Sequence, residues 1–175
     1  NLYNQYYEIL KDRLGTTKKP NFELPVIPLG VHLDDYNFTD EEKISYRKKL
    51  GIKENDIVVL FLGRLSFHAK AHYMPMYIAL ENVKNNLPDD VDLHLIQTGW
   101  FPNPAIEKLY KDDSKTICPS VKCHFLDGRD IDEKKRSYAS SDIFLSLVDN
   151  FQETFGLTPL EGMASGLPTV VSDWN

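Results

Sequence analysis

Short apolar runs alternate with amphipathic segments over most of the 175 residues of the chain. An apolar run bounded by turn residues predicts a buried strand, and apolar positions three and four apart predict a helix. The predicted strands are 57–62, 91–97, 121–126, 143–148 and 169–172, and the predicted helices between them are 76–86, 105–111, 132–139 and 159–164. Strands separated by helices indicate parallel pairing through right-handed crossovers. The pattern therefore predicts an α/β fold, an open parallel sheet with helices on both faces.

The first third of the chain is less regular. Apolar positions at helical spacing predict an amphipathic helix from Leu2 to Leu14, and residues 23–27 predict a short strand. The segment 39–42, Thr-Asp-Glu-Glu, is a capping box that starts a further helix. We therefore divide the chain into a helix and linker over 1–22, a remnant of a preceding region, and a domain over 23–175 that is truncated at its C-terminal end. The chain lacks an initial Met, and we expect missing sequence on both sides.

Composition narrows the classes of function. The hydrophobic share of 42% is enough for a folded core, and the net charge of -6 disfavours a general nucleic-acid binder. The longest apolar run, residues 57–62, is far shorter than the roughly 20 residues of a membrane-spanning helix. We therefore expect no nucleic-acid partner, no transmembrane segment, and a soluble, cytoplasmic protein.

The two cysteines do not follow a familiar metal-binding pattern. Four residues separate Cys118 from Cys123, whereas zinc knuckles typically have two, and two cysteines are too few for a disulfide-rich secreted scaffold. The adjacent His124 leaves a cluster of thiol and imidazole groups conceivable. We predict no metal site and a reducing, cytosolic setting.

Ligands of open parallel sheets bind in the loops that follow the carboxyl ends of the strands. The loop after the first strong strand contains Gly63, Arg64 and Lys70. The planar fork of an arginine and the mobile charge of a lysine together suit a diphosphate. The alternative is that both are ordinary solvated surface cations.

The loop after residues 143–148 contains two glutamates, Glu153 and Glu161. Thr158 suits the N-cap of the following helix and Pro159 its first position, so that backbone N–H groups at residues 156–158 face the ligand side and favour an anion. Each glutamate also has a simpler interpretation. Glu161 fits a capping box with Thr158, and Glu153 fits an ordinary solvated loop acid.

Several motifs in this order resemble a known enzyme family. Glu153 and Glu161, separated by seven residues and followed by Gly-Met-Ala-Ser-Gly-Leu-Pro at 162–168, look like the E-x7-E signature of retaining GT-B glycosyltransferases, and in particular of glycosyltransferase family 4. Residues 27–31 resemble the I-P-N-G-V motif of that family, residues 63–65 with Lys70 its G-R-L…K motif, and residues 141–144 its S-D-[IV]-F motif. Departures from the pattern stand at Leu29, Ala71 and Thr154, and none of them removes a charged contact.

The resemblance implies a role for each matching residue. Arg64 and Lys70 are expected to bind the diphosphate, Glu153 to contact hydroxyl groups of the donor sugar, and Glu161 to bind the ribose diol. Backbone N–H groups are expected to complete the pocket at Phe155, Gly156, Leu157 and Thr158. The positions expected to line the same edge are Gly63, Gly99 and the loop beside the base formed by Asp127, Gly128 and Arg129.

The implied function is the donor half of a retaining glycosyltransferase. It would bind a nucleoside-diphosphate sugar without a metal or other cofactor, because fixed cations and a helix N-terminus stabilise the leaving diphosphate. A carbohydrate, lipid or other acceptor would bind mainly to a missing N-terminal domain, with peripheral membrane contact open for the whole protein. The isolated chain is then expected to bind a donor but to be inert.

Two alternatives remain open from the sequence. One is a nucleotide-sugar-binding module without transferase activity, which donor hydrolysis or transfer by the full-length protein would exclude. The other is a GT-B-like epimerase or phosphorylase. A phosphorylase would bind phosphate rather than free nucleotide.

Overall fold

Five parallel strands form one sheet in the computed structural model, which describes residues 2–19, 25–149 and 156–173. The strands are β1 (Ile57–Leu62), β2 (Leu93–Gly99), β3 (Lys122–Asp127), β4 (Ile143–Ser146) and β5 (Thr169–Val171). The helices are α1 (Leu2–Leu14), α2 (Asp40–Lys49), α3 (Tyr73–Lys84), α4 (Pro104–Ile117), α5 (Ile131–Ser140) and α6 (Leu157–Ala164), and a 3-10 helix spans Leu33–Tyr36. The predicted open parallel sheet is confirmed.

The order of the strands locates the point where ligands bind in such sheets. The spatial order is β3-β2-β1-β4-β5, so the chain moves outward from β1 to β3 and then returns to the other side of β1 at β4. The direction of winding reverses between β1 and β4. In open α/β sheets, the crevice beyond the carboxyl ends of these two strands is the usual ligand site.

Both faces of the sheet are covered, which explains why β1 reads as a continuous apolar run. Alternate residues of a strand point to opposite faces. On one face, Phe61 and Leu95 pack with the buried Tyr77 of α3 and Tyr110 of α4. On the other face, Leu60 and other strand residues pack against α5. The prediction of helices on both faces is therefore confirmed.

The elements differ from the sequence predictions mainly at their ends. The strand predicted over 23–27 is wrong in its described part: residues 25–27 lie outside the sheet and have no partner strand, and the Val26 side chain is 93% exposed. Residues 20–24 lie outside the described ranges. Helix α3 begins three residues earlier than predicted, because the Nδ1 atom of His72 accepts a hydrogen bond from the Met74 N–H (3.3 Å) and caps the helix.

The capping box predicted at the start of α2 is confirmed. The Thr39 Oγ1 atom accepts from the Glu42 N–H (3.2 Å), and the Glu42 carboxylate accepts from the Thr39 N–H (2.9 Å). Helix α2 is fixed to the sheet by the buried Arg47, whose guanidinium donates to the Ser140 carbonyl (3.0 Å) and pairs with Asp142. Among the described residues, none of the helices has both the length and the apolar composition that spanning a bilayer requires.

A buried polar network joins the amino ends of β1, β2 and β3. Burial alone would raise the pKa of Asp56, but the backbone N–H groups of Lys53 and Asp92, together with His94, hold that pKa below its ordinary value. The ionised Asp56 accepts from the Nε2–H of His94 (3.1 Å), so the Nδ1 atom of His94 accepts from the Nε2–H of His124 (2.9 Å). Both histidines are therefore neutral.

This network has the composition of a metal site, because Asp56, Asp92 and His94 offer ligand atoms within 4.8 Å of one another. However, the Asp92 carboxylate already accepts from the ammonium groups of Lys122 (2.6 Å) and Lys53 (3.4 Å). A dication would stand next to these two charges. We therefore assign the network a structural role.

Three glycines allow the carboxyl ends of β1, β2 and β3 to meet. A Cβ atom on Gly99 would lie 1.8 Å from the Gly63 carbonyl oxygen, and one on Gly128 would lie 2.8 Å from the Cα of Gly99. The backbone hydrogen bonds from Gly63 N–H to the Thr98 carbonyl (3.0 Å) and from Gly128 N–H to the Gly99 carbonyl (2.9 Å) run through this contact. Glycine is required here by the close approach of backbones.

Acidification is expected to destabilise the fold between pH 6.5 and about 4. Burial, followed by electrostatic interactions with His94 and Lys122, lowers the pKa of His124 from 6.5 to about 4, and burial also lowers the pKa of His94. The unfolded chain therefore binds more protons than the folded chain in this window. The stabilisation is complete above pH 6.5 and is lost as the pH falls, by about 2–3 kcal/mol for His124.

The measurement is chemical denaturation at a series of pH values. His124→Gln keeps an N–H donor for His94 and is expected to flatten the pH dependence, whereas His32→Gln, at an exposed histidine, is expected to leave it unchanged. An equal pH dependence in all three proteins would contradict the assignment.

Gly99→Ala is expected to destabilise the fold by about 3 kcal/mol, because the new methyl group forces the ends of β1 and β2 apart. Gly30→Ala is the matched control, since a Cβ atom there would meet no atom within 4 Å. Its effect is expected to stay within about 0.5 kcal/mol. Urea denaturation of both variants measures the difference, and equal stabilities would show that the strand ends can separate freely.

Candidate functional site

Strands β1 and β4 are neighbours, so the loops that follow them start at the same carboxyl edge of the sheet. Val59 and Leu60 of β1 pair with Ile143 and Phe144 of β4, so the two strands end next to each other. Residues 150–155 of the second loop lie outside the described ranges. The predictions for Glu153 and Phe155 therefore fall there and stay predictions.

The loop after β1 is held to its neighbour by the backbone. The Leu65 N–H donates to the Trp100 carbonyl (3.0 Å), and the Leu65 side chain is fully buried. The Lys70 N–H donates to the Ser66 carbonyl (3.0 Å) and closes a turn. This anchoring fixes the two residues, Arg64 and Lys70, that carry the predicted cations.

The two cations differ in exposure. Arg64 is exposed, and among the described residues none forms a hydrogen bond or an ion pair with its guanidinium group. Lys70 is half-buried, and its Cε atom lies 3.2 Å from the position of a Cβ atom on Gly63. The aliphatic part of the Lys70 side chain therefore packs over Gly63, which follows β1. Both residues belong to the loop that borders the switch point.

Helix α6 starts earlier than the sequence predicts. Its N-cap is Gly156, with extended backbone (φ -99°, ψ 120°), and its first residue is Leu157. The assignments of Thr158 to the N-cap and Pro159 to the first position are wrong, since these residues are the second and third of the helix. Proline is tolerated there because the N–H it lacks has no partner in the first turn.

Gly156 provides no side chain to cap the backbone N–H groups of the first turn. The N–H groups of Leu157 and Thr158 lie at the positive end of the helix dipole. This arrangement attracts an anion. The start of α6 is shifted to Leu157, and its anion-binding role stays a prediction.

Glu161 does not cap its helix. The residue is 8% exposed, and its carboxylate accepts from the Lys134 ammonium group at Oε1 (2.8 Å) and from the Tyr138 hydroxyl at Oε2 (2.7 Å). Tyr36 of the 3-10 helix forms a further hydrogen bond with it. The capping-box interpretation of Glu161 is wrong, because Tyr36, Lys134 and Tyr138, on two other elements, take up its carboxylate oxygens.

These donors keep the carboxylate charged. Burial alone would raise the pKa of Glu161, but the hydrogen bonds from Lys134, Tyr138 and Tyr36 hold that pKa below its ordinary value. Burial in turn raises the pKa of Tyr138, which stays a neutral donor. The one sequence signal of this arrangement is the spacing of Lys134 and Tyr138, which are four residues apart and therefore share a face of α5.

The loop after β3 forms an internal ion pair. The Arg129 guanidinium donates to Asp127 from Nη2 (2.7 Å) and from Nε (2.9 Å), and both residues are exposed. Arg129 lowers the pKa of Asp127 to about 2. The contact of Gly128 with Gly99 ties this loop to the end of β2, so Asp127, Gly128, Arg129 and Gly99 form one side of the edge that Gly63 also borders.

Solved structures share this fold. The chain is similar to HepE of Anabaena, solved in complex with UDP-glucose, with a TM-score of 0.61, 23% identity, and coverage of 82% of this chain and 37% of that one. It is also similar to a glycosyltransferase of Rickettsia africae, with a TM-score of 0.62, 17% identity, and coverage of 97% and 42%. The fold is that of one domain of a GT-B glycosyltransferase.

Curated relatives share part of the sequence. An uncharacterized glycosyltransferase of Methanocaldococcus jannaschii is 28% identical over 146 residues, which are 79% of this chain and 33% of the relative. The alpha-monoglucosyldiacylglycerol synthase of Streptococcus pneumoniae is 28% identical over 166 residues, which are 93% and 35%. The chain spans about a third of the length of these relatives.

The family profile described as glycosyl transferases group 1 matches residues 42–175, which include every strand of the sheet and every candidate site residue. The chain therefore belongs to the family of glycosyl transferases group 1.

Proposed function

We propose that this domain binds the nucleoside-diphosphate sugar donor of a retaining glycosyltransferase of family 4. The observation that carries the proposal is the pairing of β1 with β4 at the switch point of the sheet. The loop after β1 presents the exposed Arg64 and the half-buried Lys70, and the segment after β4 leads into α6, whose N-cap Gly156 has no capping side chain. Cations and the N–H groups of a helix start at one edge of a sheet suit a diphosphate.

The chemistry of transfer gives these groups a function. When the bond between the anomeric carbon and the diphosphate breaks, negative charge develops on the leaving oxygen. Arg64, Lys70 and the N–H groups of residues 156–158 stabilise that charge without a metal ion or other cofactor. Glu153 contacts hydroxyl groups of the sugar and thereby orients the anomeric carbon.

Glu161 binds the ribose diol of the donor in this proposal. Its carboxylate is charged and is held by Lys134 and Tyr138, so one edge is fixed in place before the nucleotide arrives. A charged acceptor suits two vicinal hydroxyl donors. The loop from Asp127 to Arg129 lies beside the base.

The whole protein is proposed to hold its acceptor, a carbohydrate, a lipid or another nucleophile, mainly on a region that precedes this domain. Two curated relatives, the Streptococcus pneumoniae synthase above and the D-inositol 3-phosphate glycosyltransferase of Geodermatophilus obscurus (28% identical over 153 residues), carry names that indicate a lipid and a phosphorylated polyol. Peripheral contact with a membrane and a cytoplasmic location are part of the proposal. The 175-residue chain alone is then expected to bind the donor without transferring its sugar.

Calorimetric titration of the chain with nucleoside diphosphates and their sugars is the direct test, with UDP and UDP-glucose as the first pair. Arg64→Ala is expected to weaken the affinity for the nucleoside diphosphate by about 10- to 100-fold. The affinity for the corresponding nucleoside is expected to change by less than about twofold, because the guanidinium contacts phosphate alone. Arg13→Ala, at an exposed arginine of α1, is the matched control. Equal losses for the diphosphate and the nucleoside would remove the phosphate role of Arg64.

Glu161→Gln is expected to reduce the preference for the ribonucleotide over its 2′-deoxy analogue by about tenfold or more, since the neutral amide is a weaker acceptor for the diol. The variant also loses stability, because Lys134 keeps no charged partner. The ratio of the two affinities separates these effects. Glu133→Gln is the control, because Glu133 pairs within α5 with Arg136. An unchanged ratio in the Glu161→Gln protein would assign Glu161 a purely structural role.

A further inference from the structure

The two cysteines of the chain lie in contact. The Sγ atoms of Cys118 and Cys123 are 3.8 Å apart, and both residues are free thiols. Cys118 is the C-cap residue of α4, and Cys123 is the second residue of β3. A hydrogen bond from the Val121 N–H to the Cys118 carbonyl (3.1 Å) closes the turn between them.

The surroundings of the thiols are those of a packed core rather than a metal site. Cys118 is fully buried and donates to the Ser114 carbonyl (3.2 Å), and both cysteines pack against the core on the α3 and α4 face. The neighbouring His124 points to the opposite face of β3 and is hydrogen-bonded to His94. The imidazole that the sequence places beside the thiols therefore does not reach them.

We propose that Cys118 and Cys123 form a reversible disulfide in exchange with low-molecular-weight disulfides. Disulfide bonds have an S–S length of about 2.05 Å, so the two sulfur atoms need to approach by about 1.8 Å. In the proposal, rotation of the two short side chains provides this movement. The turn that joins the residues stays closed by its own backbone hydrogen bond, so the oxidised and reduced chains share their fold.

A cavity provides the route for the small disulfide. It has a volume of about 360 Å³ and is lined by both cysteines and by Lys111, Lys115 and Phe125. Of the two lining cysteines, Cys123 is partly exposed, whereas Cys118 has 0% exposure. The two lysine ammonium groups attract an anionic oxidant. The hydrogen bond with Cys118 and burial raise the pKa of Cys123, so the exchange becomes faster as the pH rises. Cys123 is therefore the residue that meets the small disulfide first.

The reaction consists of two exchange steps. The Cys123 thiolate attacks one sulfur of the small disulfide, forms a mixed disulfide and releases one small thiolate. The Cys118 thiolate then attacks the Cys123 sulfur and releases the second. Two protein thiols are oxidised, one small disulfide is reduced to two thiols, and the two protons of the protein thiols pass to the released thiolates. A reducing thiol reverses both steps.

The bond would tie the C-terminal end of α4 to the edge strand β3. Helix α4 packs on α3, and β3 forms the outer edge of the sheet beyond β2. The cross-link restricts the unfolded chain and prevents the edge strand from separating from its helix. The inference does not depend on the proposed donor site, which lies at the other end of the strands.

The test uses the reduced, folded chain incubated with oxidised glutathione, followed by alkylation with iodoacetamide and intact mass measurement. Both thiols are expected to disappear together, with loss of two hydrogen atoms, no retained glutathione, and full recovery after reduction. The thermal midpoint of the oxidised chain is expected to rise. Retention of two alkylated thiols, or a stable glutathione adduct on the wild-type chain, would overturn the proposal.

Single substitutions separate the two steps. Cys118→Ser leaves Cys123 without a resolving thiol, so this variant is expected to accumulate one glutathione adduct. Cys123→Ser leaves the buried thiol alone, and its modification is expected to be at least about tenfold slower. Equal rates of adduct formation in the two variants would contradict the assignment of Cys123 as the first residue to react.

Discussion

The close approach of three backbones at the carboxyl end of the sheet is the constraint on which the rest of the structure depends. The Gly63 carbonyl oxygen occupies the space that a side chain on Gly99 would fill, and Gly128 stands against the other side of Gly99. Because no side chains separate them, the backbones at the carboxyl ends of β1, β2 and β3 are in direct contact. The loop that carries Arg64 then lies against Trp100 and is held there by the backbone.

The polar groups at the two ends of the strands differ in their partners. At the amino ends, Arg47 and Asp142 fix α2, and the network of Asp56 and His94 satisfies buried backbone groups. Most polar groups there have partners within the chain. At the carboxyl edge, the exposed Arg64 follows β1, and α6 starts after Gly156, which has no side chain to cap the helix. This contrast is what identifies the carboxyl edge as the candidate site of a group 1 glycosyltransferase domain.

Glu161 has a structural role in the fold, and we propose a ligand-binding role for the same carboxylate. Buried carboxylates are costly unless they are paired and hydrogen-bonded. Lys134 and Tyr138 provide that pairing from α5, so the charge is retained inside the protein. The same contacts that stabilise the packing of α6 against α5 fix the carboxylate that we propose as the ribose ligand. A measurement of stability therefore cannot distinguish the two roles, whereas the selectivity for the ribonucleotide over its 2′-deoxy analogue can.

The sequence by itself determined the parallel α/β fold, all five strands, the α2 capping box and the loops that carry the candidate residues. These features follow from apolar periodicity and turn residues, which depend only on residues close together in the sequence. The tertiary structure decided the start of α6 at Leu157, the partners of Glu161, the separation of His124 from the thiols and the contact between Gly63 and Gly99. Each of these depends on which distant segments become neighbours in the sheet, and such pairing leaves no periodic signal in the sequence.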